Sequence, residues 1–219
     1  MKSFYVVLIS LIMCSLMLAQ DSTKHNWALS FGIGSNFTLT NFNMDIAVKK
    51  VIDDEHQLRL FLSPRISTKN EDGITTGSNQ SNKRDHVEYS LGVGADYLCL
   101  LTKNEDINLF SGTGLILTYG NFKDKLTANS DNGNGSTDEY ITEIDIPSLS
   151  VGVRGTIGVE WKVNEKIGIH SEYLLTGLYY WTKQEQKLSV NGVDNRTVTN
   201  KTNGISLGTS VLFGISIYL

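Results

Sequence analysis

The readiest chemistry in this chain would come from its four histidines, His25, His56, His86 and His170. Catalysis needs a nucleophile, a base and a group that orients the base. His170 and Ser171 are neighbours on an alternating segment, so their side chains point to opposite faces and share no proton. His86 and Glu88 share a face, but they stand where an apolar alternation gives way to polar sequence. The Gly-x-Gly stretches at 32–34, 92–94 and 112–114 lie inside alternating segments rather than before a helix, so they are not nucleotide fingerprints. Asp131-Asn132-Gly133-Asn134-Gly135 has calcium-like composition without the EF-hand spacing. These residues predict no catalytic site, no metal and no cofactor.

The informative charges are nine others. Asp45, Lys49, Arg59, Arg65, Glu88, Asp96, Arg154, Glu160 and Glu172 all fall on one phase of a period-2 pattern whose other phase is dominantly apolar. Such alternation is the mark of strands with two unlike faces. Eight segments carry it: 26–35, 41–50, 57–66, 86–100, 107–120, 148–162, 167–181 and 204–219. The apolar face of the fourth reads Val87, Tyr89, Leu91, Val93, Ala95, Tyr97. That of the last reads Ile205, Leu207, Val211, Phe213, Ile215, Ile217. Arg59 with Asp96, and Arg65 with Glu88, are the expected ion pairs between neighbouring strands.

Composition narrows the class. The chain has 219 residues, a formal net charge of -4, 20 Gly, 2 Pro and 2 Cys. There is no basic footprint for nucleic acid and too few cysteines for a disulfide scaffold. Met1-Lys2 followed by an apolar run from Phe4 to Ala19 reads as a signal peptide, residues 1–19, with one domain over 20–219. Beyond it no apolar run reaches the length of a spanning helix.

The connections decide which way the faces point. Segments two and three are joined by Ile52-Asp53-Asp54-Glu55-His56, and six and seven by Asn164-Glu165-Lys166, whereas 67–85, 121–147 and 182–203 read as long polar loops. Short turns at one end and long excursions at the other fit an up-and-down barrel in an outer membrane. There the apolar phase meets lipid, and the charged phase fills a lumen too narrow to stay empty. Aromatic girdles follow at both ends: Trp27, Tyr97 and Trp161 near the short turns, and Tyr89, Tyr119, Tyr179 and Trp181 towards the long loops.

Glycine-rich strands such as LGVGADY (91–97) and VGVRGTIGVEW (151–161), with the alternating end VLFGISIYL (211–219), resemble the small eight-stranded outer-membrane barrels of the OmpX and OmpA-barrel type. Members of that group commonly end in an aromatic residue; this chain ends in Leu219. The resemblance implies an exported, monomeric, eight-stranded transmembrane β-barrel of a Gram-negative bacterium, surrounded by outer-membrane lipid. Its loops would meet a surface ligand or protein. The His-x-Ser pattern of the lipid A deacylase barrels is absent. The expected function is therefore non-enzymatic, with a small-solute or ion channel and a lipid-modifying enzyme as alternatives.

Overall fold

The computed structural model describes residues 26–34, 38, 41–75, 80–103, 106–131 and 137–219; the expected signal peptide lies outside them. Eight antiparallel strands follow one another round a closed barrel: β1 (Trp27–Gly34), β2 (Asn41–Val51), β3 (His56–Thr75), β4 (Gln80–Lys103), β5 (Ile107–Asp131), β6 (Thr137–Lys162), β7 (Ile167–Val190) and β8 (Val193–Tyr218). The ring closes where β8 pairs with β1, Tyr218 against Ala28 through Leu212 against Gly34.

Register sets the geometry. Following pairs from Leu29 round the wall leads through Val48, Leu60, Ala95, Leu115, Val153 and Gly177 to Leu207. Leu29 itself pairs with Ile217, so the barrel closes with an offset of 217 − 207 = 10 residues. A stagger of that size on eight strands tilts them by about 40° and leaves an interior that side chains fill.

Short turns close one end. In the β2–β3 turn the Asp53 carboxylate accepts from the Glu55 and His56 amides at 2.9 and 2.8 Å. In the β6–β7 turn Asn164 Oδ1 accepts from the Lys166 and Ile167 amides. Both residues satisfy backbone donors that the turn leaves without a ladder partner.

At the other end the structure corrects the sequence reading. The stretches read as long loops are mostly strand: β3 runs on to Thr75, β5 to Asp131 and β7 to Val190, while β4, β6 and β8 begin at Gln80, Thr137 and Val193. β7 and β8 meet in a two-residue turn with Asn191 and Gly192 at φ 51° and 77°, where glycine carries no steric cost. These extensions carry charged and polar residues on both faces, among apolar ones such as Phe122, Leu126, Ile144 and Ile146, which blurs the alternation by which a strand is recognised. Their backbones are nonetheless laddered within each hairpin, β3 to β4, β5 to β6 and β7 to β8. β1 and β2 have only 8 and 11 residues against 20–26 for the rest, so one side of the wall is low and six strands rise beyond it.

Both prolines interrupt a ladder. Pro64 sits in the break between the pairs Asn43–Arg65 and Ile46–Leu62, and Pro147 in the break between Asp145–Glu185 and Ser148–Thr182. Neither residue has an N–H to give.

The lumen is packed by pairing large residues with glycine. A Cβ on Gly94 would stand 2.4 Å from the Phe61 ring, and one on Gly158 2.5 Å from the Phe110 ring. Bulk on one strand is thus accommodated by its absence on another.

Candidate functional site

On adjacent residues of β5, Leu115 is 68% exposed and Ile116 7%. The same contrast runs round the wall. Leu60, Val93, Leu117, Val153, Leu175, Leu207 and Phe213 stand exposed on the outside. Inside, Asp45, Lys49, Arg59, Asp96, Arg154, Glu160, His170 and Glu172 are buried. A water-soluble protein places charge outside and hydrocarbon within. Between the short turns and the upper girdle this chain does the reverse.

The buried charges form one chain of contacts along the lumen. At the short-turn end, Tyr218 Oη donates to Glu160 Oε2 at 2.7 Å, and Lys49 Nζ lies 3.5 Å from Glu160 Oε1. Lys49 also donates to Ser216 Oγ at 3.0 Å, and Ser216 meets His170 Nδ1 at 3.3 Å. His170 Nε2 faces Ser30 at 3.4 Å and Glu172 at 3.6 Å. Glu172 takes both carboxylate contacts from one Arg59 nitrogen at 2.7 Å, while Arg59 Nε and its other terminal nitrogen reach Asp96 at 2.9 and 2.7 Å. Arg154 joins Asp96 to Asp45, which it meets at 3.0 Å, and Ser63 donates to Asp45 at 2.5 Å. The Arg154 guanidinium carbon also lies over the Phe61 ring, 3.3 Å from its centroid.

Recesses open at both ends of this chain. The lower, about 600 Å³, includes Tyr218, Asn108, Asp53, Asp54 and Asp106 in its lining. The upper, about 190 Å³, includes Ser63 and Arg65. Between them side chains fill the barrel. The chain is a brace rather than a proton wire, because two of its links are guanidinium groups that do not release a proton. Charges held this deep must be paired, since an isolated one would cost several kcal/mol or more.

Seven of the nine charges singled out in the sequence come together in this plug: Asp45, Lys49, Arg59, Asp96, Arg154, Glu160 and Glu172. Arg59 and Asp96 are directly paired. Arg65 and Glu88 are not: both are exposed, and their register partners are Ser90 and Ser67 rather than each other. They stand above the plug and are exposed, so solvent can take the place of a partner. Ser30, Ser63, Ser216 and Tyr218, which the charge pattern does not pick out, also belong to the plug, and so does His170, weighed in the sequence only against Ser171. His170 shares the inward phase of Glu172, and that was the signal available. A Cβ on Gly214 would lie 2.5 Å from its Nε2, so the imidazole also occupies space left by a glycine.

The remaining histidines serve elsewhere. His56 pairs with Asp53 at 2.8 Å in a short turn and stacks on Tyr97. His86 packs edge-on against Phe122 at 4.6 Å. His25 lies outside the described residues.

The girdle aromatics project outward in two sets. Lys50 lies over the Trp27 ring at 5.3 Å, and Tyr97 and Trp161 are exposed near the same end. Tyr89, Tyr119, Tyr179 and Trp181 are exposed towards the raised wall, with Tyr179 and Trp181 in edge contact at 4.7 Å.

No protein-family model matches the chain, and no curated protein matches it. Among solved structures it is similar to CarO2 of Acinetobacter baumannii, at 11% identity and a TM-score of 0.44 over 88% of this chain and 97% of that one. It is also similar to a major outer membrane protein from Thermus thermophilus, at 12% identity and 0.40 over 88% and 98%. Ail, the attachment invasion locus protein of Yersinia pestis, aligns at 9% and 0.36 over 88% and 92%. At these identities no role of those proteins transfers to this chain.

Proposed function

We propose that the protein is a non-enzymatic integral protein of a bacterial outer membrane. Its barrel is a sealed anchor, and its raised polar wall is the interaction surface. The observation that carries this reading is the inversion of faces. Exposed hydrocarbon encircles a closed wall with no free edge at the level of the short turns, and the charged residues are paired inside. Closure matters because lipid cannot satisfy an open strand edge. In this reading residues 1–19 direct export, residues 20–219 form the barrel domain, and the monomer is complete in itself. The likeness to the OmpX and OmpA-barrel type rests on eight strands with short turns at one end and long hairpins at the other. Loops and hairpins on a rigid scaffold commonly carry recognition. Here the hairpins of β3–β4, β5–β6 and β7–β8 would meet a surface ligand or protein.

The plug argues against the channel alternative, because a solute would have to displace paired charges. Folded protein in a planar lipid bilayer is expected to show no single-channel steps above baseline. Regular conductance steps from the heat-shiftable, folded form would overturn the sealed lumen.

A further inference from the structure

Pro147 leaves a dent in the outer wall. The ladder between β6 and β7 lapses from Asp145–Glu185 to Ser148–Thr182, so Pro147 and Lys183 are not paired. The groove beside this break holds about 550 Å³ and is lined chiefly by Tyr119, Pro147, Leu149, Trp181, Lys183 and Lys201. Its lower part is hydrocarbon and aromatic ring, all on the outward face. Its upper rim is cationic. Lys183 and Lys201 are direct cross-strand partners on β7 and β8. Like charges placed opposite one another repel. Lys183 is met by Glu185 at 2.6 Å, while among the described residues Lys201 has no ion pair. Among the described residues one positive charge at the rim is therefore uncompensated.

Depth gives the occupant. Trp181 belongs to the upper girdle, and such rings lie at the headgroup level of a bilayer. Lys183 and Lys201 each stand two residues further out than Trp181 and its cross-strand partner Asn203, within reach of headgroup phosphates. Acyl chain against Leu149 and Trp181, with phosphate at the lysines, satisfies both halves of the groove at once. We infer that this groove binds the anionic, phosphate-bearing headgroup of a membrane lipid, in preference to a zwitterionic one. The inference rests on the membrane reading above, and names one lipid position on the barrel.

Trp181 can report it. With Trp27→Phe and Trp161→Phe it is the sole tryptophan of the full chain. The protein is inserted into phosphatidylcholine vesicles carrying a small share of brominated phosphatidic acid or, in parallel, brominated phosphatidylcholine. Preferential quenching by phosphatidic acid, about fivefold in relative binding constant for one uncompensated lysine, is expected. Adding Lys201→Gln is expected to bring that ratio to about one, and adding Lys183→Gln as well to bring it below one, because Glu185 is then unpaired. Equal quenching by the two lipids, or a preference the lysine variants leave unchanged, overturns the assignment. A response of Trp181 to inorganic phosphate in neutral vesicles without any lipid preference also overturns it, in favour of a soluble anion. Insertion with no preference removes this inference alone. Failure to insert into pure phosphatidylcholine, seen as no heat-dependent gel shift, removes the membrane reading with it.

Discussion

Arg59 holds two buried carboxylates at once, Asp96 and Glu172. Its removal has unequal consequences for them. Asp96 keeps Arg154, whereas among the described residues Glu172 keeps His170 at 3.6 Å and the more distant charge of Lys49. Arg59→Met is expected to cost about 3–5 kcal/mol, the usual penalty for stranding a buried charge. Urea unfolding of the protein in phosphatidylcholine vesicles measures it. Adding Glu172→Met to the same chain is expected to recover most of the loss, because a well-packed apolar pair is often as stable as a buried ion pair. A single variant as stable as the unaltered chain would mean that the plug contributes nothing. The pairing of Arg59 with Asp96 was legible in the sequence because both lie on the inward phase of adjacent strands. The link from Arg59 across the lumen to Glu172 was not, since β3 and β7 are not neighbours and only barrel closure brings them together.

The hairpins beyond the girdle are held differently from the barrel. Their faces carry cross-strand ion pairs, Arg84 with Asp124 at 2.9 Å and Lys125 with Glu143 at 3.1 Å among them. Hydrogen bonds from Arg84 hold the Asp124 carboxyl below the usual carboxylate range. A carboxylate whose folded value is depressed contributes stability above its unfolded value, and that contribution is lost as pH falls through the folded value. Amide exchange in β4 and β5 around Arg84 and Asp124 is therefore expected to quicken below about pH 4, while the barrel stays protected. Arg84→Gln is expected to abolish that difference between hairpin and barrel; its persistence in the variant would show that another group governs the hairpin. The barrel halves of these strands could be read from alternation. The distal halves could not, because Lys, Glu, Asp, Thr and Asn occupy both faces and only the backbone ladder makes them strand.

At the scale of the whole molecule the fold follows from two facts acting together. Eight alternating segments with a ten-residue closing offset make a lumen that side chains fill, and the apolar phase is left on the outside. Periodicity alone does not say which face is inward; the paired charges do, because seven of them meet in one chain only if they share an interior. The most direct test compares Leu115 with Ile116, neighbours on β5 that point opposite ways. Single variants Leu115→Cys and Ile116→Cys, each with Cys99→Ser, are folded in lipid vesicles and offered a lipid-soluble or a water-soluble thiol reagent. Cysteine at 115 is expected to react with the lipid-soluble reagent alone, and cysteine at 116 to resist it, in protein whose gel mobility shifts on boiling. A reagent-resistant 115 in a chain that stays soluble without detergent would contradict the account, since the apolar face would then be a core.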